Sequence, residues 1–110
     1  SARLADLAAA METVQAVHVS EVFTKHCVEL VRRTRVHPAI ELGCSPRAAL
    51  ALVLTARARA FLHGRDYAVP EDLFALATDV LLHRMRLSYA ALAEGRKPAE
   101  VLEEILRAAG

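Results

Sequence analysis

Apolar residues recur along this chain at intervals of three and four, the spacing that places them on one face of an α-helix. The clearest stripe lies in residues 20–34, and its members are Phe23, Cys27, Leu30, Val31 and Thr34. Ser20 precedes the stripe and suits the N-cap, because a serine hydroxyl accepts a hydrogen bond from an unpaired backbone N–H of the first turn. We therefore predict a helix over residues 20–34 that buries this stripe.

The same spacing predicts four further helices, over residues 2–15, 46–63, 70–84 and 98–108. The helix over residues 46–63 is rich in alanine and ends at Gly64, a residue that commonly terminates helices. Its predicted buried side is marked by larger apolar residues, which are Leu50, Val53, Leu54 and Phe61, while Ala49, Ala56 and Ala60 are predicted to let neighbouring helices approach closely.

Two short segments, residues 17–19 and 85–88, alternate apolar and polar side chains as strands do. We predict that both are extended and that they pair with each other. The predicted fold is therefore all-α, a compact bundle of four to five helices with room for one very short β pair.

Composition limits the classes of function. The chain has 110 residues, the size of one domain, and a net charge of +1, which offers no bulk attraction to nucleic acid or to a membrane surface. Two cysteines, Cys27 and Cys44, do not form a disulfide framework, and we expect free thiols in a reducing cytoplasm. No pairing of cysteine and histidine has metal-ligand spacing, so no metal is expected. No apolar run approaches the length of about 18 residues that spans a membrane.

Candidate chemistry lies in the turn Leu42-Gly43-Cys44-Ser45-Pro46-Arg47-Ala48, which opens the helix over residues 46–63. Ser45 suits the N-cap and Pro46 the first helical position. Arg47 then falls in the first turn, where the helix dipole mildly disfavours a cation. Together with exposed backbone N–H groups, this arginine makes an anion site. The alternative is an ordinary surface arginine, and the residues alone leave both open.

Further arginines raise the same choice. Arg32, Arg33 and Arg35 form a basic helix end, which either complements the dipole or contacts a nucleotide or a neighbouring subunit. Arg57 lies ten residues beyond Arg47 and close to the same side of its helix, where it is either solvated or part of an interface. Arg59 is expected to face elsewhere.

The segment Gly43-Cys44-Ser45-Pro46-Arg47-Ala48 resembles the sensor-2 motif of MoxR-type AAA+ ATPases. Further segments resemble motifs of the same family in order and spacing; they are Val17-His18-Val19-Ser20, Thr34-Arg35-Val36-His37-Pro38, Gly64-Arg65-Asp66-Tyr67-Ala68-Val69-Pro70-Glu71-Asp72 and His83-Arg84-Met85-Arg86-Leu87. The resemblance covers roughly residues 17–106. It implies that residues 17–110 form the C-terminal helical lid of such an ATPase and that residues 1–16 form a linker helix from the ATPase core.

The resemblance also implies a site. Arg47 would be the sensor-2 arginine that contacts ATP phosphates, either those bound by its own subunit or those bound by a neighbouring one. Ser45, Pro46 and His37 are further nucleotide-binding candidates; the alternative for His37 is that it holds its loop. The complete protein would use ATP and Mg²⁺. This chain alone is expected to bind neither and to lack ATPase activity, because it has no Gly-x-x-x-x-Gly-Lys-[Ser/Thr] segment and no acidic Mg²⁺ motif.

As partners, the resemblance implies the protein's own ATPase core, neighbouring subunits of a ring that is often hexameric, and a von Willebrand factor A-domain protein. The role implied is chaperone-like, in the assembly or maturation of other proteins. Three alternatives compete: a stand-alone helical interaction module without nucleotide chemistry, a helix-turn-helix DNA-binding protein, and a self-contained hydrolase. The small net charge argues against the second, and the lack of a local catalytic motif argues against the third.

Overall fold

The computed structural model describes residues 16–109, which contain five α-helices and one two-stranded sheet. The elements are α1 (Glu21–Val36), β1 (Ile40–Leu42), α2 (Arg47–Leu62), α3 (Pro70–Leu81), a 3₁₀ turn (Leu82–Arg84), β2 (Arg86–Leu87), α4 (Tyr89–Ala93) and α5 (Pro98–Ala109). An all-α bundle with one very short β pair is therefore confirmed. The predicted helix over residues 2–15 lies outside the described residues.

Helix α1 forms as its sequence predicts. The Ser20 hydroxyl accepts a hydrogen bond from the N–H of Phe23 at 3.0 Å, which satisfies one of the unpaired donors of the first turn. All members of the predicted stripe are buried. The helix stops at Val36 because His37, which precedes Pro38, adopts an extended conformation with ψ 132°.

Helix α2 buries a face that was predicted only in part: Ala56 and Ala60 are buried, and Val53 packs against the core. Its buried residues recur every fourth position, and they are Ala48, Leu52, Ala56 and Ala60. The prediction for Leu50 and Leu54 was wrong, since both are exposed. The helix is apolar on almost every side, so spacing could not select the face. Small alanine side chains let α2 pack closely between α1 and α3, while Leu50 and Leu54 lie outside.

The sheet also differs from the prediction. Strand β1 pairs antiparallel with β2, and Ile40 lies opposite Leu87. Residues 85–88 are extended as predicted, but their predicted partner was wrong. Residues 17–19 instead join the turn before α3: the His18 N–H donates to the Asp66 carbonyl at 2.8 Å, and the Ala68 N–H donates to the His18 carbonyl at 2.9 Å. Alternation in a short strand indicates which side chains are buried, but it does not identify the neighbouring strand.

Helix α4 was not predicted, because five residues are too few for a helical period to appear. Its signal is Ser88, whose hydroxyl caps the helix by accepting a hydrogen bond from the Ala91 N–H at 3.2 Å. Helix α5 follows the prediction and packs Val101, Leu102 and Ile105 against the rest of the core. None of the helices in the described part of the chain is both long and apolar enough to cross a membrane.

Candidate functional site

The loop between β1 and α2 passes so close to the end of α1 that only glycine fits at position 43. A Cβ on Gly43 would lie 2.5 Å from the Thr34 carbonyl oxygen and 2.6 Å from the Arg35 Cα. These are backbone atoms, which cannot rotate away as a flexible side chain would. Gly43 therefore fixes the path by which the chain enters α2.

We expect Gly43→Ala to lower the free energy of unfolding by about 1–3 kcal/mol, because the added methyl forces the loop away from α1. Urea unfolding of the variant and of wild type measures this difference. Ser45→Ala is the matched control: Ser45 is exposed two residues away, and its replacement should change stability by less than about 0.5 kcal/mol. Equal stability of Gly43→Ala and wild type would show that the loop yields without cost.

A buried threonine ties the same loop to α1. The Thr34 hydroxyl donates to the Val31 carbonyl at 2.6 Å and accepts the N–H of Cys44 at 2.9 Å. Cys44 is itself fully buried, and its Sγ lies 3.6 Å from the Leu81 carbonyl oxygen at the end of α3. Burial raises the pKa of the Cys44 thiol, so the group is an inert packing element. The loop is thus anchored to α1 and α3.

Helix α2 begins one residue later than predicted, at Arg47, and its N-cap position belongs to Pro46. The prediction that the Ser45 hydroxyl caps the helix was wrong, since no side chain caps it. Backbone carbonyls do so instead: the Ala48 N–H donates to the Ser45 carbonyl at 2.9 Å, and the Ala49 N–H donates to the Pro46 carbonyl at 3.1 Å. These two backbone hydrogen bonds satisfy N–H groups of the first turn that a Ser45 hydroxyl cap would have been expected to satisfy.

Arg47 is therefore the first residue of α2, and its side chain is exposed. Within residues 16–109 it forms no ion pair. No acidic residue lies in the first turn of α2, so the guanidinium and the positive end of the helix dipole add to one another. This arrangement favours an anion, and a planar guanidinium fork matches the paired oxygens of a phosphate or carboxylate.

His37, the other nucleotide-binding candidate, has two contacts within the domain. Its Nδ1 accepts the Ala39 N–H at 3.1 Å, and its Nε2 lies 3.3 Å from Oε2 of Glu104 on α5. Glu104 also receives a hydrogen bond from Arg96, which lowers the pKa of that carboxyl. Both contacts of His37 hold its loop, which was the alternative to nucleotide binding. Contact between His37 and a nucleotide stays a prediction.

Of the arginines at the end of α1, two are already engaged. Arg32 and Arg33 both donate to Glu29, at distances from 2.6 to 3.2 Å, and the hydrogen bonds from Arg32 and Arg33 lower the pKa of Glu29 to about 2. Arg35 is exposed and has no ion pair among residues 16–109. It borders a groove of about 210 Å³ between α1 and Pro46, so an uncommitted positive charge lies beside the start of α2.

A buried carboxylate joins α2 to α3. Asp72 is fully buried and lies 2.6 Å from Nη1 of Arg59 and 2.7 Å from Nη2 of Arg65. Its second oxygen accepts from Arg65 at 2.9 Å and from the Val69 N–H at 2.7 Å. A capping box has two halves, in which the N-cap and N3 side chains each accept a backbone N–H of the other residue. Valine has no side-chain acceptor, so only one half forms here: Asp72 at N3 accepts the N–H of the N-cap residue Val69. Arg65 also donates to the Tyr67 carbonyl at 3.0 Å, which fixes the turn before α3.

Sequence reasoning missed this cluster. It gave Asp72 no role beyond its place in a motif, and it expected Arg59 only to face away from Arg47 and Arg57. The motif over residues 64–72 contains both Arg65 and Asp72. Because a buried carboxylate requires partners, an arginine and an aspartate in one motif could have indicated the cluster.

The cluster predicts a dependence of stability on pH. Burial raises the pKa of Asp72, but hydrogen bonds from Arg65, the Val69 N–H and Arg59 outweigh it and hold that pKa well below its usual range. In the unfolded chain the carboxyl takes up a proton near pH 3.9, about its ordinary value. Stability from this group is therefore complete above about pH 5 and is lost as the pH falls below that range.

We expect the free energy of unfolding of wild type to fall more steeply between pH 5 and 3, about the range in which the unfolded aspartate titrates, than that of Asp72→Asn. Urea titrations at several pH values measure both slopes. Parallel slopes would contradict the depressed pKa of Asp72.

Known proteins resemble this chain in sequence and in structure. The family model described as AAA lid domain matches residues 32–105. The chain is 42% identical over 95 residues to the uncharacterized protein YeaC of Bacillus subtilis, covering 86% of this chain and 30% of that protein. It is 37% identical over 89 residues to the chaperone MoxR1 of Mycobacterium tuberculosis, covering 81% of this chain and 24% of the relative.

The protein MoxR of Methylorubrum extorquens is 41% identical over 69 residues, covering 63% of this chain and 19% of the relative. Among solved structures, a protein described as a "putative ATPase" from Cytophaga hutchinsonii superposes with a TM-score of 0.82 at 38% identity, covering 87% of this chain and 32% of that one. The chain thus spans less than a third of the length of each of these proteins.

Proposed function

This chain belongs to the AAA lid domain family, with relatives of the MoxR type, and on that premise we propose that it serves as the lid of an AAA+ ATPase whose sensor-2 arginine is Arg47. The observation that carries the proposal is the state of this side chain. Arg47 is exposed at the first residue of α2, on a loop fixed by Gly43 and Thr34, and it forms no ion pair in residues 16–109. A guanidinium that projects from a fixed backbone, with no ion pair among the described residues, is suited to phosphate recognition.

The Arg47 side chain fits a phosphate group. A guanidinium donates two parallel hydrogen bonds to phosphate oxygens and keeps its charge at any physiological pH. ATP, when bound, supplies the phosphoanhydride bond that is broken, and the Mg²⁺ that accompanies it is assigned to the ATPase core. Arg47 would bind and orient the terminal phosphate and stabilise the charge that develops there. Ser45 and Pro46 contribute by positioning the backbone from which Arg47 projects.

Loss of the terminal phosphate would remove one partner of Arg47, so the lid would have different preferred positions with ATP and with ADP. Rotation of the lid against the core then converts hydrolysis into movement. By analogy with its relative described as the chaperone MoxR1, we propose that this movement serves assembly or maturation of partner proteins in a ring of subunits, with a von Willebrand factor A-domain protein as one partner. The two free thiols suit a reducing cytoplasm.

The parent reading frame tests the premise of nucleotide chemistry. A Gly-x-x-x-x-Gly-Lys-[Ser/Thr] loop and a following acidic motif, encoded upstream of residue 1 in the same frame, are the expected finding. A reading frame without that loop would leave a helical interaction module and would remove the reason to assign Arg47 to ATP.

A further inference from the structure

A groove lies between α1 and α3 and begins within two turns of the start of both helices. Two buried side chains, Leu30 and Leu73, contribute to its lining, and Phe74, which is 40% exposed, borders it as well. The groove has a volume of about 210 Å³, and its charged lining residues Glu29 and Arg33 are paired with each other at 3.2 Å. We call this site the α1–α3 groove. Because its charges are paired and the rest of its lining is largely apolar, it suits an apolar occupant.

The chain enters the domain beside this groove. The backbone of His18 is hydrogen-bonded to Asp66 and Ala68, in the turn that leads into α3, and Val17 is 3% exposed. The same residues lead directly into α1, which begins at Glu21. The first described residues are therefore held where α1 and α3 both begin, within about two helical turns of the groove.

Residues 1–15, which precede this point, carry an apolar stripe of the kind that such a groove accepts. The stripe underlies the predicted helix over residues 2–15, and its members are Leu4, Leu7, Ala8, Met11 and Val14. A helix over residues 2–15 is about 21 Å long, close to the length of about 24 Å for α1. The stripe is therefore long enough to cover the groove.

We infer that residues 2–15 form a helix that folds back antiparallel to α1 and buries its apolar stripe in the α1–α3 groove. Residues 16–20 are the connection that this arrangement requires. Their number lies within the range of about 2–5 residues that joins antiparallel helices in αα-hairpins. Contact between the stripe and the groove removes apolar surface of both from water, which is the driving force for the docking.

The covalent connection favours this segment over the same segment of a second copy of the chain. A groove of about 210 Å³ accepts few side chains, so the contact is far smaller than the interface of about 800 Å² per partner that holds separate proteins together. A short tether gives the segment an effective concentration in the millimolar range, about what a small contact needs. The occupant of the groove is therefore expected within the same chain.

The docking changes the place of residues 1–16, which were expected to form a linker helix from an ATPase core. With its stripe in the groove, this segment belongs to the domain itself. On the proposed function, on which only this consequence rests, rotation of the lid would carry the segment along. The contact itself needs no nucleotide and no role for Arg47.

A tryptophan in the groove tests the inference on this chain. The sequence contains no tryptophan, so Phe74→Trp places a single fluorescent reporter at the groove and replaces one aromatic ring by another. Quenching of its emission by acrylamide measures how readily solvent reaches the ring. Two changes are then compared in this background. Leu7→Asp puts a charge in the stripe, and Ala9→Asp puts the same side chain on the opposite side of the predicted helix.

We expect Leu7→Asp to raise the quenching constant by about 2-fold or more and to shift the emission to longer wavelength, because a charged side chain is disfavoured in an apolar groove. Ala9→Asp should leave both values unchanged, since its side chain faces away from the groove. Leu7→Ala removes less apolar surface and should give an intermediate constant. None of these values should depend on protein concentration.

An unchanged quenching constant in Leu7→Asp, or an equal rise in Ala9→Asp, would overturn the docking. Protection of the tryptophan that vanishes on dilution would assign the groove to a second copy and overturn the contact within one chain. Cys27 and Cys44 report whether each variant stays folded, because both are fully buried and a thiol reagent reaches them only if the core opens. Should they react in Leu7→Asp, the comparison is made with Leu7→Ala, in which an unchanged constant would equally overturn the inference.

Discussion

Replacing Arg47 by alanine in the parent protein is expected to lower ATP turnover by about 100-fold or more, the usual effect of removing one donor to a developing negative charge. Stability should change by less than about 0.5 kcal/mol, because Arg47 is exposed and forms no ion pair in the described part of the domain. Steady-state turnover at saturating ATP and urea unfolding measure the two quantities on the same preparation.

Two further variants test whether the loss of turnover is specific to the position and to the guanidinium of Arg47. Arg107→Ala removes another exposed arginine, on α5, whose ion pair among residues 16–109 is with Glu103 one turn away, and it should leave turnover unchanged. Arg47→Lys keeps the charge but loses the planar fork, so its turnover should lie between those of wild type and Arg47→Ala. Undiminished turnover in Arg47→Ala would remove the sensor assignment, whereas an equal loss in Arg107→Ala would indicate a nonspecific effect of charge.

Replacing Asp72 by alanine should destabilise the domain more than any exposed substitution. The change leaves Arg59 and Arg65 without their shared partner and deprives the Val69 N–H of its acceptor. Breaking a buried ion pair by removing one member costs about 3–5 kcal/mol. For a domain of this size such a loss lowers the melting temperature by about 10 °C or more. Thermal and urea unfolding of the chain measure the effect.

Asp66→Ala is the matched control for this second variant. Asp66 belongs to the same turn but its side chain is exposed and forms no ion pair among residues 16–109, so its loss should cost less than about 0.5 kcal/mol. A similar small cost for Asp72→Ala would mean that the cluster contributes nothing net to stability. In that case the motif over residues 64–72 would serve another purpose than joining α2 to α3.

The sequence pattern predicted α1 well because that helix has one apolar side and one polar side. The stripe from Phe23 to Thr34 could face only the core, and the structure buries all of it. Helix α2 offered no such contrast, since leucine and alanine occupy most of its sides. Its face was decided by close packing of Ala48, Ala56 and Ala60 against neighbouring helices, a tertiary property that spacing along one helix does not contain.

The same limit applies to the site. The sequence located Arg47 at the start of its helix, because Pro46 and the preceding loop residues carry local signals. It did not show the pairing of Arg59 with Asp72, since the two lie 13 residues apart on helices whose crossing brings them together. Nor did it show that Leu50 and Leu54 lie outside the core.

Nucleotide affinity of the parent protein tests contact between Arg47 and the terminal phosphate most directly. Dissociation constants for a nonhydrolysable ATP analogue and for ADP are measured with wild type and with Arg47→Ala. If Arg47 binds the terminal phosphate, the substitution weakens the ATP analogue by about 10-fold or more relative to ADP, as expected for the loss of a charge-assisted hydrogen bond worth about 1.5–3 kcal/mol. An equal change for the two nucleotides, or no change for either, would contradict that contact.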